Sequence, residues 1–134
     1  MNYIHLMGAG VAGWLWGAAY YGILGKPWAR ALGWSVDDIK SRKMPLVPML
    51  LAFVASLTLA FAIGCLIYDF GIATLVEAVK LAVAAAIGFI VTTTVVNNAF
   101  QRRSWAVTAI DCGHWIGVLV IQALIFMHFP LVNA

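Results

Sequence analysis

Asp111 and His114 stand three residues apart inside a long apolar stretch, so in a helix they occupy adjoining turns of one face. An ionisable pair in such surroundings is costly, and it is usually buried against a partner or water. Three kinds of chemistry are open to it. A hydrogen-bonded network would fix helix register, with Asp111 orienting His114. A proton- or solute-handling site would use an imidazole that titrates near neutrality beside a carboxylate. Catalysis would need more, because a lone Asp-x-x-His without a nucleophile or third ligand specifies no reaction. No catalytic residue is therefore assigned, and the chain is read as a non-enzyme. His5 and His128 map near the same ends of the first and last apolar blocks and could approach each other, but no further ligand accompanies them. Each is read as an interfacial residue, and no metal or cofactor is expected. Gly-rich phosphate loops and nucleophile elbows are absent. Cys65 and Cys112 lie inside apolar blocks, outside any CxxC pattern, and read as small packing residues.

The elements that must position Asp111 and His114 follow from composition. The chain has 134 residues, 64% hydrophobic and 10% charged; a soluble domain has about 45–50% and about 25%. No soluble fold of this size could hide so much apolar surface. Four hydrophobic blocks predict helices at about 3–24, 46–67, 75–100 and 105–129, joined by a loop over 25–45 and two short turns. The expected fold is all-α: one integral membrane domain over 1–134, a four-helix bundle with antiparallel neighbours. The first block has no basic residue before Lys26 and is long enough to span, so it is read as a retained helix and not as a signal peptide.

Charge sets the expected orientation, because basic loops stay on the cytoplasmic side. Lys26, Arg30, Lys40, Arg42 and Lys43 lie in the first connector, and Arg102 and Arg103 in the third; the second, around Tyr68–Gly71, has none. Both termini are then non-cytoplasmic, in a multi-pass protein of the inner membrane. Lys80 is the exception, one turn after Glu77, where the two can satisfy each other. The net charge of +3 comes from these orienting clusters, so nucleic acid is not an expected partner. Ser35 with Asp38 reads as a capping box opening a short interfacial helix. Pro45 and Pro48 mark the start of the second long helix, while Trp28, Trp34, Tyr20 and Tyr21 suit the headgroup boundary.

Membrane helices associate through small residues that let backbones approach. Rows at four-residue spacing are Ala9-Gly13-Gly17, Ala52-Ser56-Ala60-Gly64, Ala84-Gly88-Thr92 and Ala109-Gly113-Gly117, one on each helix. On the last helix Asp111, His114, Val118 and Gln122 share a face nearly opposite Gly113 and Gly117, and neither face suits lipid. That helix is either central or meets a second chain. Asp111 lies roughly 12 Å from Arg103 at about 1.5 Å per residue, a depth shared on the antiparallel third helix by Thr93, Thr94, Asn97 and Asn98. A polar cluster between the third and fourth helices is expected.

Tyr20 through Trp28, with its Gly25-Lys26-Pro27-Trp28, continues into Ala31-Leu32-Gly33; later come Asn97-Asn98-Ala99-Phe100, Arg102, Ile110-Asp111 and Gly113-His114. In this order these segments resemble the signature of domain-of-unknown-function family 1761, a set of small four-helix membrane proteins. The resemblance implies architecture and assigns no binding residue. The leading expectation for function is a small accessory or structural subunit of a homo-oligomer or larger membrane complex, energy-transducing or photosynthetic, whose partners are the bilayer and other membrane chains or its own copies. The alternative is a small proton or solute transporter with a path lined by Asp111, His114, Asn97 and Gln122.

Overall fold

The computed structural model describes residues 2–129, all of its regular structure helical. The elements are α1 (Tyr3–Ala31), α2 (Val36–Ser41), α3 (Leu46–Asp69), α4 (Leu75–Phe100) and α5 (Trp105–His128). α3, α4 and α5 are long and apolar enough to cross a membrane, with mean hydropathies of 2.5, 2.1 and 1.7. α1 is the longest at 29 residues. It stands outside that set because His5, three indoles and three phenols, all amphipathic, dilute its aliphatic residues.

α1 does not stop near residue 24. It runs through Pro27 to Ala31, so the first third of the expected 25–45 loop is helix. A proline inside a helix costs about 3 kcal/mol. The turn beyond it is held by tertiary contacts: Ala29 is buried, and the Trp28 indole reaches α5. The helix then ends on Gly33, whose φ of +87° suits a residue without a Cβ. α2 opens on the expected capping box, Ser35 Oγ accepting from Asp38 N and Asp38 Oδ2 from Ser35 N.

α4 carries a wide π turn over Ala86–Val91. Carbonyls loosened there are covered from within the helix: Thr92 Oγ1 donates to Gly88 O, and Thr93 Oγ1 to Phe89 O and Ile90 O. Thr93 therefore spends its hydroxyl on its own helix. At the start of α4 the Glu77 carboxylate accepts from the backbone N–H groups of Ala73 and Thr74, a capping box. These backbone bonds take the place of the expected pairing with Lys80.

α5 touches α1, α3 and α4, and α1 lies between α3 and α5. The tightly filled core, including Ala60, Ile63, Ala82, Ala123 and Phe126, sits at the end away from the basic connectors. Toward the basic end α3 and the second half of α4 part company. The candidate site lies at that end.

Candidate functional site

α1 and α5 mesh reciprocally through their glycines. A Cβ on Gly117 would collide with the Trp16 indole, and one on Gly113 would lie 2.6 Å from Tyr20 Oη. In the other direction a Cβ on Gly17 would lie 2.8 Å from His114 Nε2, and one on Gly13 2.7 Å from Gln122 Nε2 and 2.6 Å from Ser56 Oγ. Each helix thus receives the other's polar or aromatic side chains where it has no side chain of its own. Trp16 Nε1 then donates to His114 O at 3.1 Å, and Tyr20 Oη to Ile110 O at 2.7 Å. Gly88 has no such neighbour. Ala84, Gly88 and Thr92 all lie exposed on the outer side of α4.

Asp111 is held from α1. Its Oδ1 accepts from Tyr21 Oη at 2.6 Å and from Trp28 Nε1 at 3.0 Å. His114 is not its hydrogen-bond partner. That imidazole is 9% exposed and lies among the rings of Tyr20, Tyr21 and Trp115, with centroids 5.7, 5.0 and 4.6 Å away. Its Nδ1 is buried without a partner.

The cluster expected between the third and fourth helices is dispersed. Asn98 Nδ2 donates to Thr108 Oγ1 at 3.1 Å, joining α4 to α5 nearer the basic end. Asn97 is exposed. Gln122 turns to α3, its Nε2 donating to Ser56 O at 2.8 Å and Ser56 Oγ at 3.1 Å, while Ser56 Oγ donates to Gly10 O at 2.7 Å. Of the expected α4 residues, Thr94 alone shares a cavity wall with Asp111 and His114. The physical reason is competition for Asp111: α1 makes the most extensive contact with α5 and, extending past Pro27, brings Tyr21 and Trp28 onto the carboxylate.

Two cavities meet at this point. One of about 390 Å³ lies between α1, α3 and α5, walled by Gly13, Trp14, Gly17, Ala18, Tyr21, Trp28, Ala52, Ser56, His114, Trp115 and Val118, with Arg42, Pro48 and Met49 toward the basic end. A wider recess of about 530 Å³ adjoins it on the α4 side, where Asp111, Thr94, Leu51 and Ala55 join Tyr21, His114 and Trp115. The Ser56–Gln122 bonds close the deep end. At the mouth the Arg42 guanidinium lies over Trp28 and Trp34, 5.8 and 5.0 Å from their ring centres. Outside the site, Asp38 is held below the usual carboxylate range by its hydrogen bonds to Ser35.

Trp14, Tyr21 and Trp28 are the residues that sequence reasoning placed elsewhere or passed over. Their spacing of seven is a signal that could have found them, since residues seven apart share a helix face. The expected stop before Pro27 cut that row short. No three His, Cys, Asp or Glu side chains converge on a possible metal site among the described residues. His5 and His128 each pack on Phe129, at ring distances of 5.8 and 4.7 Å. Cys112 is buried and Cys65 half-buried, both unbridged.

A family model described as "Protein of unknown function (DUF1761)" matches residues 4–127, nearly the whole chain, which therefore belongs to that family. No curated protein and no solved structure matches.

Proposed function

We propose that this family member is a four-crossing protein of the inner membrane, both termini non-cytoplasmic, which binds and passes on a small guest in the cavity between α1, α3 and α5. The crossing of α1 is supported by its length, about 43 Å at 1.5 Å per residue against a hydrocarbon core of about 30 Å, and by its packing between two apolar helices. Orientation is supported by the charged connectors. One observation carries the binding reading. A concave, aromatic-lined space of about 390 Å³ adjoins a carboxylate and an imidazole that no other side chain fully occupies, which is the usual make-up of a small-molecule site. The glycine rows of α1 and α5, which pointed toward an accessory subunit, are filled by the chain's own side chains.

Six tryptophans are present and three of them, Trp14, Trp28 and Trp115, line the cavity, so binding is readable from intrinsic fluorescence in lipid nanodiscs. A saturable change with a small amphiphile, abolished by Ala18→Phe with Ala52→Phe, is the expected result. Either no saturable change across cationic, neutral and anionic guests, or a change that survives filling the cavity, overturns the reading.

The accessory-subunit reading keeps one support, the exposed Ala84-Gly88-Thr92 row on α4. If Ala84→Leu with Gly88→Leu left every native complex intact by mass spectrometry of gently extracted membranes, that reading would fail.

A further inference from the structure

We infer that the guest is an organic cation, an ammonium with apolar substituents, held between the Asp111 carboxylate and the aromatic wall. The inference rests on the cavity reading and adds the charge of the ligand. Its first ground is Asp111 itself. Both hydrogen bonds to it come from neutral groups and converge on Oδ1. An indole N–H can only donate, so Oδ1 acts as an acceptor there. Among the described residues the second oxygen takes no hydrogen bond, it is not one of the buried atoms left without a partner, and Asp111 lines the recess. A carboxylate fixed in place within a bilayer, with no cationic side chain among its hydrogen-bond partners, calls for a cation.

The second ground is the rest of the wall. Four of its donors are already committed to the protein: Trp14 Nε1 to Met49 O, Tyr21 Oη and Trp28 Nε1 to Asp111, Ser56 Oγ to Gly10 O; the Trp115 indole, the His114 imidazole and the Arg42 guanidinium at the mouth make no side-chain hydrogen bond among the described residues. An anion needs such free donors, and in the recess it would meet the negative charge of the Asp111 carboxylate. A cation needs none, because the faces of indoles and phenols attract positive charge directly. Arg42 already places a cation on Trp28 at the mouth.

The test uses three guests of one shape: benzyltrimethylammonium, its neutral carbon isostere neopentylbenzene, and phenylmethanesulfonate, titrated against the full chain in nanodiscs by tryptophan fluorescence. The cation is expected to bind about ten-fold or more tightly than either other guest, the scale of a desolvated cation on aromatic faces. Asp111→Asn should remove that preference with helical content unchanged, since the Asn carbonyl can still accept from Tyr21 and Trp28; Asp111→Glu should keep it. The isostere comparison needs no variant, so a poorly folding Asp111→Asn leaves the test intact. Equal affinity for all three, a preference for the sulfonate, or an Asp111→Asn protein that still prefers the cation overturns the inference while leaving a cavity that binds. No saturable binding of any guest removes the cavity reading, and the inference with it.

Discussion

Trp28 and Asp111, 83 residues apart in the chain, meet through an indole N–H to carboxylate hydrogen bond of 3.0 Å. This contact exists because α1 continues past Pro27. It joins the last turn of one helix to the second turn of another, and Tyr21 closes on the same oxygen at 2.6 Å. The carboxylate's orientation, and the side from which a guest can reach it, both follow from that pair of donors.

Trp28→Phe and Tyr21→Phe should each lower thermal stability by about 1.5–3 kcal/mol, the scale of a hydrogen bond to a charged group. Because both act on Oδ1, their effects should not add. A double-mutant cycle on melting in detergent measures the coupling; strict additivity would mean that the two donors do not share one acceptor.

Glycine substitutions should separate into two groups. Gly17→Ala and Gly117→Ala force a methyl against His114 and Trp16 and should cost about 1–3 kcal/mol as overpacking. Gly22→Ala and Gly88→Ala meet open space and should be neutral or stabilising by up to about 1 kcal/mol, through helix propensity. Equal losses at all four positions would contradict the reciprocal packing of α1 and α5.

The Ser56–Gln122 link should respond asymmetrically. Ser56→Ala leaves Gly10 O without its side-chain donor and removes one acceptor of Gln122 Nε2, so it should destabilise by about 1–3 kcal/mol. Gln122→Met removes the donor but also the unpartnered Oε1, and should cost less than Ser56→Ala. Thermal melting of the two single variants checks the order.

Topology is tested by labelling. With Cys65 and Cys112 replaced by alanine, Gly71→Cys should react with an impermeant maleimide added to intact cells. Ser41→Cys and Gln101→Cys should react only after the cells are opened. Reaction of Gly71→Cys and Gln101→Cys from the same side would remove one crossing.

Local and periodic features were readable from the residues alone. Block length and hydropathy foretold the long apolar helices, Ser35 with Asp38 foretold the cap of α2, and the basic residues gathered in two connectors marked one end of the molecule. Each depends on neighbours within one or two turns, or on side-chain type summed over a block. Asp111 and His114 also drew attention by type and spacing.

What those two residues touch was decided by the tertiary structure. Small-residue rows occur on every helix and do not say which pairs will mesh; only assembly showed Trp16 and Tyr20 over Gly117 and Gly113, while Gly88 stayed uncovered. Pro27 carries a local signal to stop, and contacts from a distant helix outweighed it. Asp111 was matched to α4 by depth along an antiparallel neighbour, but depth fixes only one coordinate. The lateral one depends on which helix packs against α5 at that depth and how far α1 extends, and both are set by packing among residues far apart in sequence.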